Sequence, residues 1–356
     1  MIDSRIDRIL SLVAAAQTIS DSHSPLGKRA RVELQRETGL SHAGVDYALA
    51  HCLEHHVSRG TLTGLVKTQK RLPRSHVLLS ANVFTAAFRA IVLGLCQSEN
   101  VQVRASRRAE TFPRLLHEAS EGAFDLVAEL HPEPGESFWV YGSTDTIKTL
   151  RQTLPSGVKF HAHGPGMGAA VFKEHLHYQS PDLPPAVAAL ARDIIPFDQR
   201  GCLSPRVVII EGSRTFAELV CNLLVQELTR LEQEIPRGEL SPAEAADALR
   251  YEASVTFVGS SVPAGMGMVF LDPVDGRVLV PPVGRYVHVS VTDDSFPLLK
   301  GLGPQLTGVA FYNSSDLQGR LREAIGDRRY VDMGQMQHPA FDGPVDLRHG
   351  FTAELL

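Results

Sequence analysis

The feature that most constrains the fold of this chain is a regular alternation of short apolar runs with helix-like segments. The apolar runs lie at 76–80, 101–104, 137–141 and 158–162, with a weaker one at 124–129. The segments between them, at 85–96, 111–119 and 143–152, carry apolar residues at helical spacing. Short strands that alternate with helices predict β-α-β units and therefore a parallel sheet.

The same alternation resumes after Gly164, and the segment 1–60 has a helical pattern throughout. Gly39 and Ser41 predict the end of one helix and the N-cap of the next. In the second half, strands are predicted at 207–211, 278–281 and 287–291, and helices at 185–192, 216–233 and 241–250. The chain is therefore predicted to form two α/β domains.

The overall composition argues against several classes of protein. The chain has 356 residues, a net charge of −5 and a pI near 6.3, so no general basic field attracts nucleic acid. No uncharged apolar run approaches the ~18–20 residues that a membrane-spanning helix needs. Four cysteines without C-x-x-C spacing are too few for a disulfide framework, which predicts a reducing cytoplasm as the location.

One cysteine lies in a setting that suits a nucleophile. Cys202 follows Gly201 and begins a turn sequence directly ahead of an apolar strand. Turns just ahead of strands lie more often at the surface than in the core. The nearby Arg200 could lower the pKa of the Cys202 thiol and so favour the thiolate. Free cysteines are otherwise small buried hydrophobes, and this packing role is predicted for Cys52, Cys96 and Cys221.

A second candidate site lies at Gly142, Ser143 and Thr144, which end one apolar strand and begin a helix. The backbone N–H groups of a helix start, together with small hydroxyls, favour an anion such as a phosphate. The alternative is an ordinary helix N-cap with no ligand. The G-x-G-x-x-G fingerprint of dinucleotide sites is absent here.

The loop after the second predicted strand bears on which cofactor such a site would bind. Domains that bind NAD usually carry an acid there for the ribose hydroxyls, whereas arginines suit a 2′-phosphate. This chain has Arg104, Ser106, Arg107 and Arg108 with no acid before Glu110, which favours NADP(H). A solvated basic loop without a ligand is the alternative interpretation.

Histidines offer a competing interpretation as metal ligands. His161-x-His163 and His175-x-His177 have a spacing that places each pair on one face of a strand. No Asp or Glu lies between Ile147 and Lys173 to complete a site with a carboxylate. Since histidines are normally satisfied by hydrogen bonds, we predict no metal site.

Taken together, these motifs resemble the aldehyde dehydrogenase superfamily, and within it the acyl-CoA (fatty-acyl) reductases related to the bacterial bioluminescence reductase subunit. Their order and spacing agree over about 36–345, and the cysteine motif is the most specific of them. The segments that carry the resemblance are 80–84, 100–108, 142–144, 164–168, 198–205, 334–337 and 342–343.

The resemblance implies a Rossmann-like cofactor domain plus an α/β catalytic domain that carries the cysteine loop. We expect a helical N-terminus and dinucleotide-binding domain at 1–163, a catalytic domain at 164–340 and a tail at 341–356. By the same resemblance, Cys202 is the nucleophile and Asn82 a donor to the oxyanion. Residues expected near the cofactor are Gly142, Ser143, Thr144, Gly164, Arg104, Ser106 and Arg107.

Two departures from the superfamily pattern affect the expected chemistry. Relatives that oxidise aldehydes carry a glutamate two residues before the first glycine of the Gly164 motif, and this chain has Ala162 there. That glutamate activates water, so its absence suits an enzyme that must not hydrolyse its acyl-cysteine. The Glu-x-Phe-Gly-Pro stretch that grips the nicotinamide ribose in many dehydrogenases has no clear counterpart either.

The expected activity is NADPH-dependent reduction of an acyl thioester to an aldehyde through an acyl-cysteine. The donor would be acyl-CoA or an acyl-carrier protein, and the enzyme a homo-oligomer or a complex with an acyl-donor enzyme. Three alternatives remain: a redox-free cysteine acyltransferase or thioesterase, a catalytically silent subunit of a reductase complex, and, most distant, a metal-dependent hydrolase.

Overall fold

The computed structural model describes residues 4–174, 180–259, 261–314 and 316–348. Within these ranges the chain divides into two compact units. The first comprises 4–165 and 340–345, and the second comprises 166–339 and 346–348. Among the described helices, none is both long enough and apolar enough to cross a bilayer.

The first unit begins with helices, as the pattern of the segment 1–60 predicts. They are α1 (Ser4–Ser20), α2 (Pro25–Thr38), α3 (His42–Tyr47), which continues into a π-helical turn (Ala48–Cys52), and α4 (Arg59–Thr68). Gly39 ends α2 in the left-handed conformation, at φ 70°. The Ser41 hydroxyl then accepts a hydrogen bond from the Gly44 backbone and caps α3. The predicted helix boundary is therefore confirmed.

A five-stranded sheet follows these helices. Its strands are β1 (Ser75–Leu78), β2 (Val101–Arg104), β3 (Asp125–Leu126), β4 (Ser137–Tyr141) and β5 (Lys159–His163). The intervening helices are α5 (Ala86–Gln97), α6 (Thr111–Ala119) and α7 (Thr144–Thr153). All four strand pairings are parallel and the order is β3-β2-β1-β4-β5. The order reverses direction between β1 and β4, the place where open α/β sheets bind ligands.

A short segment from near the end of the chain also packs in the first unit. The buried Arg89 guanidinium of α5 donates to the carbonyl oxygens of Ala340 (2.9 Å) and Gly343 (2.8 Å). It also lies 4.6 Å above the ring of Phe341 and pairs with the Glu54 carboxylate. This arginine therefore anchors the segment to α5.

The second unit contains a seven-stranded sheet with helices between its strands. Its strands are β6 (Met167–Lys173), β7 (Pro205–Glu211), β8 (Ser261–Ala264), β9 (Gly267–Leu271), β10 (Tyr286–Thr292), β11 (Leu306–Tyr312) and β12 (Arg329–Asp332). Its helices are α8 (Leu183–Ile194), α9 (Arg214–Glu234), α10 (Pro242–Val258), α11 (Phe296–Leu302) and α12 (Leu317–Ile325). The strand order is β12-β11-β6-β7-β10-β9-β8, and among the described pairings only β8 runs antiparallel to its neighbour.

Two predictions about this sheet differ from the structure. The glycine-rich stretch 164–168 indicates a turn, but β6 begins at Met167 and includes Gly168. The predicted strand at 278–281 is wrong, because this segment has no regular structure. It leads into Pro281-Pro282, which cannot donate backbone hydrogen bonds to a neighbouring strand.

The central strands of the second sheet are buried, which explains their continuous apolar sequence. Val207 to Ile210 of β7 are fully buried, as are Val309 and Ala310 of β11. Parallel strands with helices on both faces must be apolar on both faces. The strand predicted at 207–211 is confirmed, and it forms the centre of the sheet.

Candidate active site

Cys202 lies in the segment 197–204, here called the cysteine turn, which begins within a 3₁₀ turn (Pro196–Gln199) and ends at the start of β7. The residues Phe197, Asp198 and Gln199 all have left-handed backbones, with φ of 53°, 50° and 65°. A left-handed residue other than glycine costs roughly 1–2 kcal/mol. Three in succession, all buried, require support from the surrounding structure.

The other end of the cysteine turn is held against β6. The backbone N–H of Gly168 donates to the carbonyl oxygen of Ser204 at 2.9 Å. A side chain at position 168 would overlap the Leu203 carbonyl oxygen and the terminal methyl of Met336. Gly168 is therefore required by the close approach of the cysteine turn.

The Cys202 side chain differs from the other three cysteines in its exposure. Cys52, Cys96 and Cys221 are buried, as predicted for packing residues, whereas Cys202 keeps part of its surface in solvent. Enough protein nevertheless surrounds the thiol for burial to raise its pKa to about 12. The Asp346 carboxylate adds to that rise in pKa, and the Arg348 guanidinium opposes it.

The expectation that Arg200 lowers the pKa of this thiol is wrong. Its guanidinium donates to both carboxylate oxygens of Glu244, at 2.7 and 3.1 Å, and to the Glu239 carbonyl oxygen. The charges that act on Cys202 belong instead to Asp346 and Arg348, which lie far from it in the sequence. Local sequence therefore indicated the wrong cation.

In the first unit, the other predicted site residues gather at one edge of the sheet. Asn82 follows β1, Arg104 ends β2, Gly142 follows β4 and Gly164 follows β5. Because all these strands run parallel, the four residues lie at the carboxyl edge of the sheet, on both sides of the β1–β4 switch point. Asn82 is exposed, and its carboxamide makes no hydrogen bond with the described residues.

The turn at Gly142 has the geometry of a capped helix start. The Ser143 hydroxyl accepts a hydrogen bond from the Thr146 backbone at 3.2 Å, and the Gly142 N–H donates to the His163 carbonyl oxygen. The N-cap interpretation is therefore correct for Ser143. An N-cap and an anion site can coexist at this helix start. The first four backbone N–H groups of a helix have no partner within the helix, and the Ser143 cap uses only one of them.

The loop after β2 presents guanidinium groups that are available for an anion. Arg104, Arg107 and Arg108 form no ion pair with any other described residue. Arg107 and Arg108 are exposed, and Arg104 and Ser106 are half-buried. A cluster of unpaired arginines near the switch point can bind a phosphate by paired hydrogen bonds.

An acid that sequence reasoning missed lies next to this loop. Glu37, from the end of α2, accepts hydrogen bonds through one oxygen from the backbone N–H groups of Glu110 (2.7 Å) and Thr111 (3.0 Å). Its second oxygen is buried without a hydrogen-bond partner among the described residues. Since Glu37 and Glu110 are far apart in the sequence, no local pattern could indicate this contact.

Comparison with known protein families identifies the family of this chain. Residues 128–349, more than half of the chain, match the family described as acyl-CoA reductase (LuxC). The chain belongs to the acyl-CoA reductase (LuxC) family. It is thus an oxidoreductase that acts on acyl or aldehyde groups, as the resemblance implied. None of the curated proteins compared with the chain matches it.

Solved structures show that this acyl-CoA reductase family member has the aldehyde dehydrogenase fold. A lactaldehyde dehydrogenase from Escherichia coli is 13% identical with a TM-score of 0.67, over 92% of this chain and 78% of that one. An NAD-dependent benzaldehyde dehydrogenase from Corynebacterium glutamicum is 13% identical with a TM-score of 0.65, over 93% of this chain and 81% of that one. An oxidoreductase from Marinobacter aquaeolei is 12% identical (TM-score 0.69; 100% and 84%).

The position at which this member of the acyl-CoA reductase (LuxC) family departs from the aldehyde-oxidising pattern is occupied by a packing residue. Ala162 of β5 packs against the cluster of Phe138, Val140 and Ile147, beneath α7. No carboxylate is therefore available at this position to activate water.

The histidines that were considered as alternative metal ligands make stacking contacts in the described part of the chain. His161 and His163 of β5 stack on Trp139 and Tyr141 of β4, their direct cross-strand neighbours. Burial and, to a smaller extent, the charge of Lys159 together lower the pKa of His161 to about 4. No group of three or more potential metal ligands occurs among the described residues. His175 and His177 lie outside them.

Proposed function

We propose that this chain is an NADPH-dependent reductase that converts an acyl thioester to an aldehyde through an acyl group on Cys202. The observation that carries this proposal is the cysteine turn itself. In a member of the acyl-CoA reductase family, the one partly exposed cysteine follows three buried left-handed residues. Backbone strain of this kind is concentrated at functional sites.

In the first step, the Cys202 sulfur bonds to the thioester carbonyl carbon, and the bond from that carbon to the leaving sulfur breaks. A pKa of about 12 keeps Cys202 protonated at neutral pH, so its proton must leave during the attack. The departing CoA or carrier thiolate takes up one proton, which keeps the reaction balanced. The Cys202 N–H and Asn82 would stabilise the oxyanion, at about 3 kcal/mol for each donor.

In the second step, the acyl group on Cys202 is reduced, and the aldehyde leaves as the thiol regains its proton. When bound, NADPH supplies the hydride for this reduction. Ala162 supports the same direction of chemistry, because position 162 offers no carboxylate that could activate water to hydrolyse the acyl-cysteine.

The residues at the carboxyl edge of the first sheet fit the proposed cofactor. Gly142, Ser143 and Thr144 would bind the pyrophosphate at the start of α7, and Gly164 would lie beside them. The unpaired Arg104 and Arg107, with Ser106, would bind the adenosine ribose and its 2′-phosphate. On this basis we assign 1–163 to cofactor binding, 164–340 to catalysis and 341–356 to a tail.

The proposed setting is the cytoplasm, where all four free cysteines remain reduced. The acyl donor would be acyl-CoA or an acyl-carrier protein, and the enzyme would act as a homo-oligomer or with an acyl-donor enzyme.

The decisive experiment follows NADPH absorbance at 340 nm when acyl-CoA substrates of different chain length are added. Mass spectrometry of the Cys202 peptide should detect the acyl group when NADPH is withheld. Cys202→Ala should abolish both signals, whereas the matched control Cys221→Ala, at a buried cysteine of α9, should keep them. Thioester turnover without NADPH consumption would favour an acyltransferase or thioesterase instead. Full activity of Cys202→Ala in an assembled complex would indicate a silent subunit.

A further inference from the structure

The left-handed turn before Cys202 is tied by one side chain to the beginnings of two strands. The Gln199 carboxamide oxygen accepts a hydrogen bond from the Tyr286 N–H at 2.8 Å. Its amide nitrogen donates to the carbonyl oxygens of Tyr286 (3.0 Å) and Pro205 (2.9 Å). The Gln199 side chain therefore substitutes for a peptide unit between β7 and β10, and it fixes the turn relative to both strands.

The residue before Tyr286 holds the same turn through charge. Arg285 is 1% exposed, the largest fully buried side chain in the described part of the chain, and it too is left-handed, with φ 68°. Its guanidinium donates to Asp198 (3.1 Å), to Glu232 (2.8 Å) and to the Ile235 carbonyl oxygen (2.7 Å). One guanidinium thus bridges the cysteine turn and the end of α9.

Asp198 completes this connection from the side of the turn. Its second carboxylate oxygen accepts a hydrogen bond from the Gly238 N–H at 3.0 Å, and its carbonyl oxygen accepts one from Gly284 at 2.9 Å. Asp198 is 1% exposed, and its charge is compensated mainly by Arg285 at 2.9 Å and also by Arg200 at 3.6 Å. Two left-handed residues from distant parts of the chain therefore hold each other in place through a buried ion pair.

We propose that Arg285 is a positioning residue for the reaction, which holds Cys202 in its reactive orientation through Asp198 and Gln199. This inference rests on the proposed role of Cys202 as nucleophile. A turn that served only to connect two elements could use glycine, without left-handed strain and without a buried charge. The planar guanidinium suits the task, because it reaches two carboxylates and a carbonyl oxygen at once.

The test compares three full-length variants with the wild-type chain: Arg285→Met, Arg285→Lys and the control Arg277→Met. Arg277 also pairs with a buried aspartate, Asp272, which directly follows β9 and lies outside the cysteine turn. Three quantities are measured: thioester turnover, the alkylation rate of Cys202 by iodoacetamide from pH 7 to 10, and the unfolding temperature. Buried Cys96 and Cys221 serve as internal references for alkylation.

Arg285→Met should raise the alkylation rate of Cys202 and lower the thioester turnover. A released turn exposes the thiol to water, so Cys202 alkylation at pH 8 should rise by about tenfold or more. Turnover should fall by about tenfold or more, with little change in KM, because the sulfur is no longer aligned with the carbonyl carbon. Arg285→Lys should change the alkylation rate and the turnover in the same directions but by less. Arg277→Met should change neither the alkylation rate nor the turnover.

A folded Arg285→Met protein whose Cys202 alkylation and turnover both stay within about twofold of wild type would overturn the inference. If Arg285→Met fails to fold, Arg285→Lys decides by the same two measurements. If the wild-type chain reduces no thioester, the proposed function fails, and the alkylation profile still decides whether Arg285 holds the turn.

Discussion

Trp139, the only tryptophan of the chain, is stacked on the imidazole of His161, with ring centroids 3.9 Å apart and planes inclined by 10°. The two residues are direct cross-strand neighbours on β4 and β5. The indole N–H donates to the Gln97 carboxamide of α5 at 3.0 Å, which holds the ring in place. Tryptophan fluorescence therefore reports on the edge of the first sheet that ends in Gly142 and Gly164.

This stacking predicts an acid-dependent fluorescence step. Burial lowers the pKa of His161 to about 4, so its imidazole is neutral above that pH and becomes a cationic quencher below it. Emission should drop as the pH falls through about 4, provided the protein remains folded by circular dichroism. His161→Phe should remove the step, whereas the exposed control His131→Phe should keep it. A step that persists in His161→Phe would contradict the assignment.

The same histidine should make stability depend on pH. Because its folded pKa lies below the ordinary histidine value of 6.5, the unfolded chain binds a proton between about pH 6.5 and 4 that the folded chain does not. The His161 contribution to the free energy of unfolding should therefore decrease as the pH falls through this window. Urea titrations of wild type and His161→Phe should show a difference in stability that changes between pH 7 and 4 and is constant above pH 7.

Gly168→Ala should displace the cysteine turn. The added methyl overlaps the Leu203 carbonyl oxygen and the Met336 methyl, so we expect a loss of stability of about 1–3 kcal/mol. Turnover should fall with it, because Leu203 is adjacent to Cys202. Gly319→Ala is the matched control: a methyl there meets nothing within 4 Å in α12 and should stabilise the helix by about 1 kcal/mol. Wild-type activity in Gly168→Ala would mean that the turn tolerates displacement.

Asp193 should act as an anchor for the segment at 334–337. Its carboxylate accepts hydrogen bonds from the Gly334 N–H (2.7 Å) and the Met336 N–H (3.1 Å), and burial raises its pKa to about 7. Asp193→Asn offers one acceptor oxygen instead of two, so stability should fall by about 1–3 kcal/mol. The exposed Asp182→Asn, just ahead of α8, is the control and should be neutral.

The Asp193 variant also has a predicted pH dependence. A carboxyl group whose folded pKa is raised stabilises the protein most below its unfolded pKa near 3.8, and this stabilisation is lost as the pH rises through about 7. The stability difference between wild type and Asp193→Asn should therefore shrink from pH 5 to pH 8. A difference that grows over this range would show that the pKa of Asp193 is not raised.

Arg104→Ser should weaken the binding of NADPH and leave the binding of NADH unchanged. Arg104 forms no ion pair with the described residues, so its charge is available to a 2′-phosphate. Loss of one charge-assisted contact of about 1.5–3 kcal/mol should raise the NADPH dissociation constant by roughly tenfold or more. Fluorescence titrations with both cofactors provide the measurement, and NADH serves as the control ligand. If the variant weakens the binding of both cofactors equally, Arg104 does not bind the 2′-phosphate.

Much of the first sheet could be predicted from the sequence. The runs at 101–104 and 137–141 are β2 and β4, and the helix at 111–119 is α6. These elements carry local signals, because apolar spacing and turn residues lie within a few positions of each other. In the second sheet only β7 and β10 are predicted, and β6, β8, β9, β11 and β12 are missed. The strand β6 begins inside a glycine-rich stretch, where a turn is the ordinary expectation, and its glycine is needed only because the cysteine turn passes over it.

The sequence by itself determined the α/β class, the family resemblance and the cysteine that stands out from the other three. Only the tertiary structure decided what surrounds that cysteine. Arg285, Asp346 and Arg348 are all distant from Cys202 in the sequence, yet Arg285 binds its turn and the other two act on its pKa. Propensity and periodicity act over a few residues, whereas burial and charge act between whatever groups the fold brings together. The local sequence therefore singled out Cys202 but assigned its neighbouring cation to Arg200, which the fold pairs with Glu244.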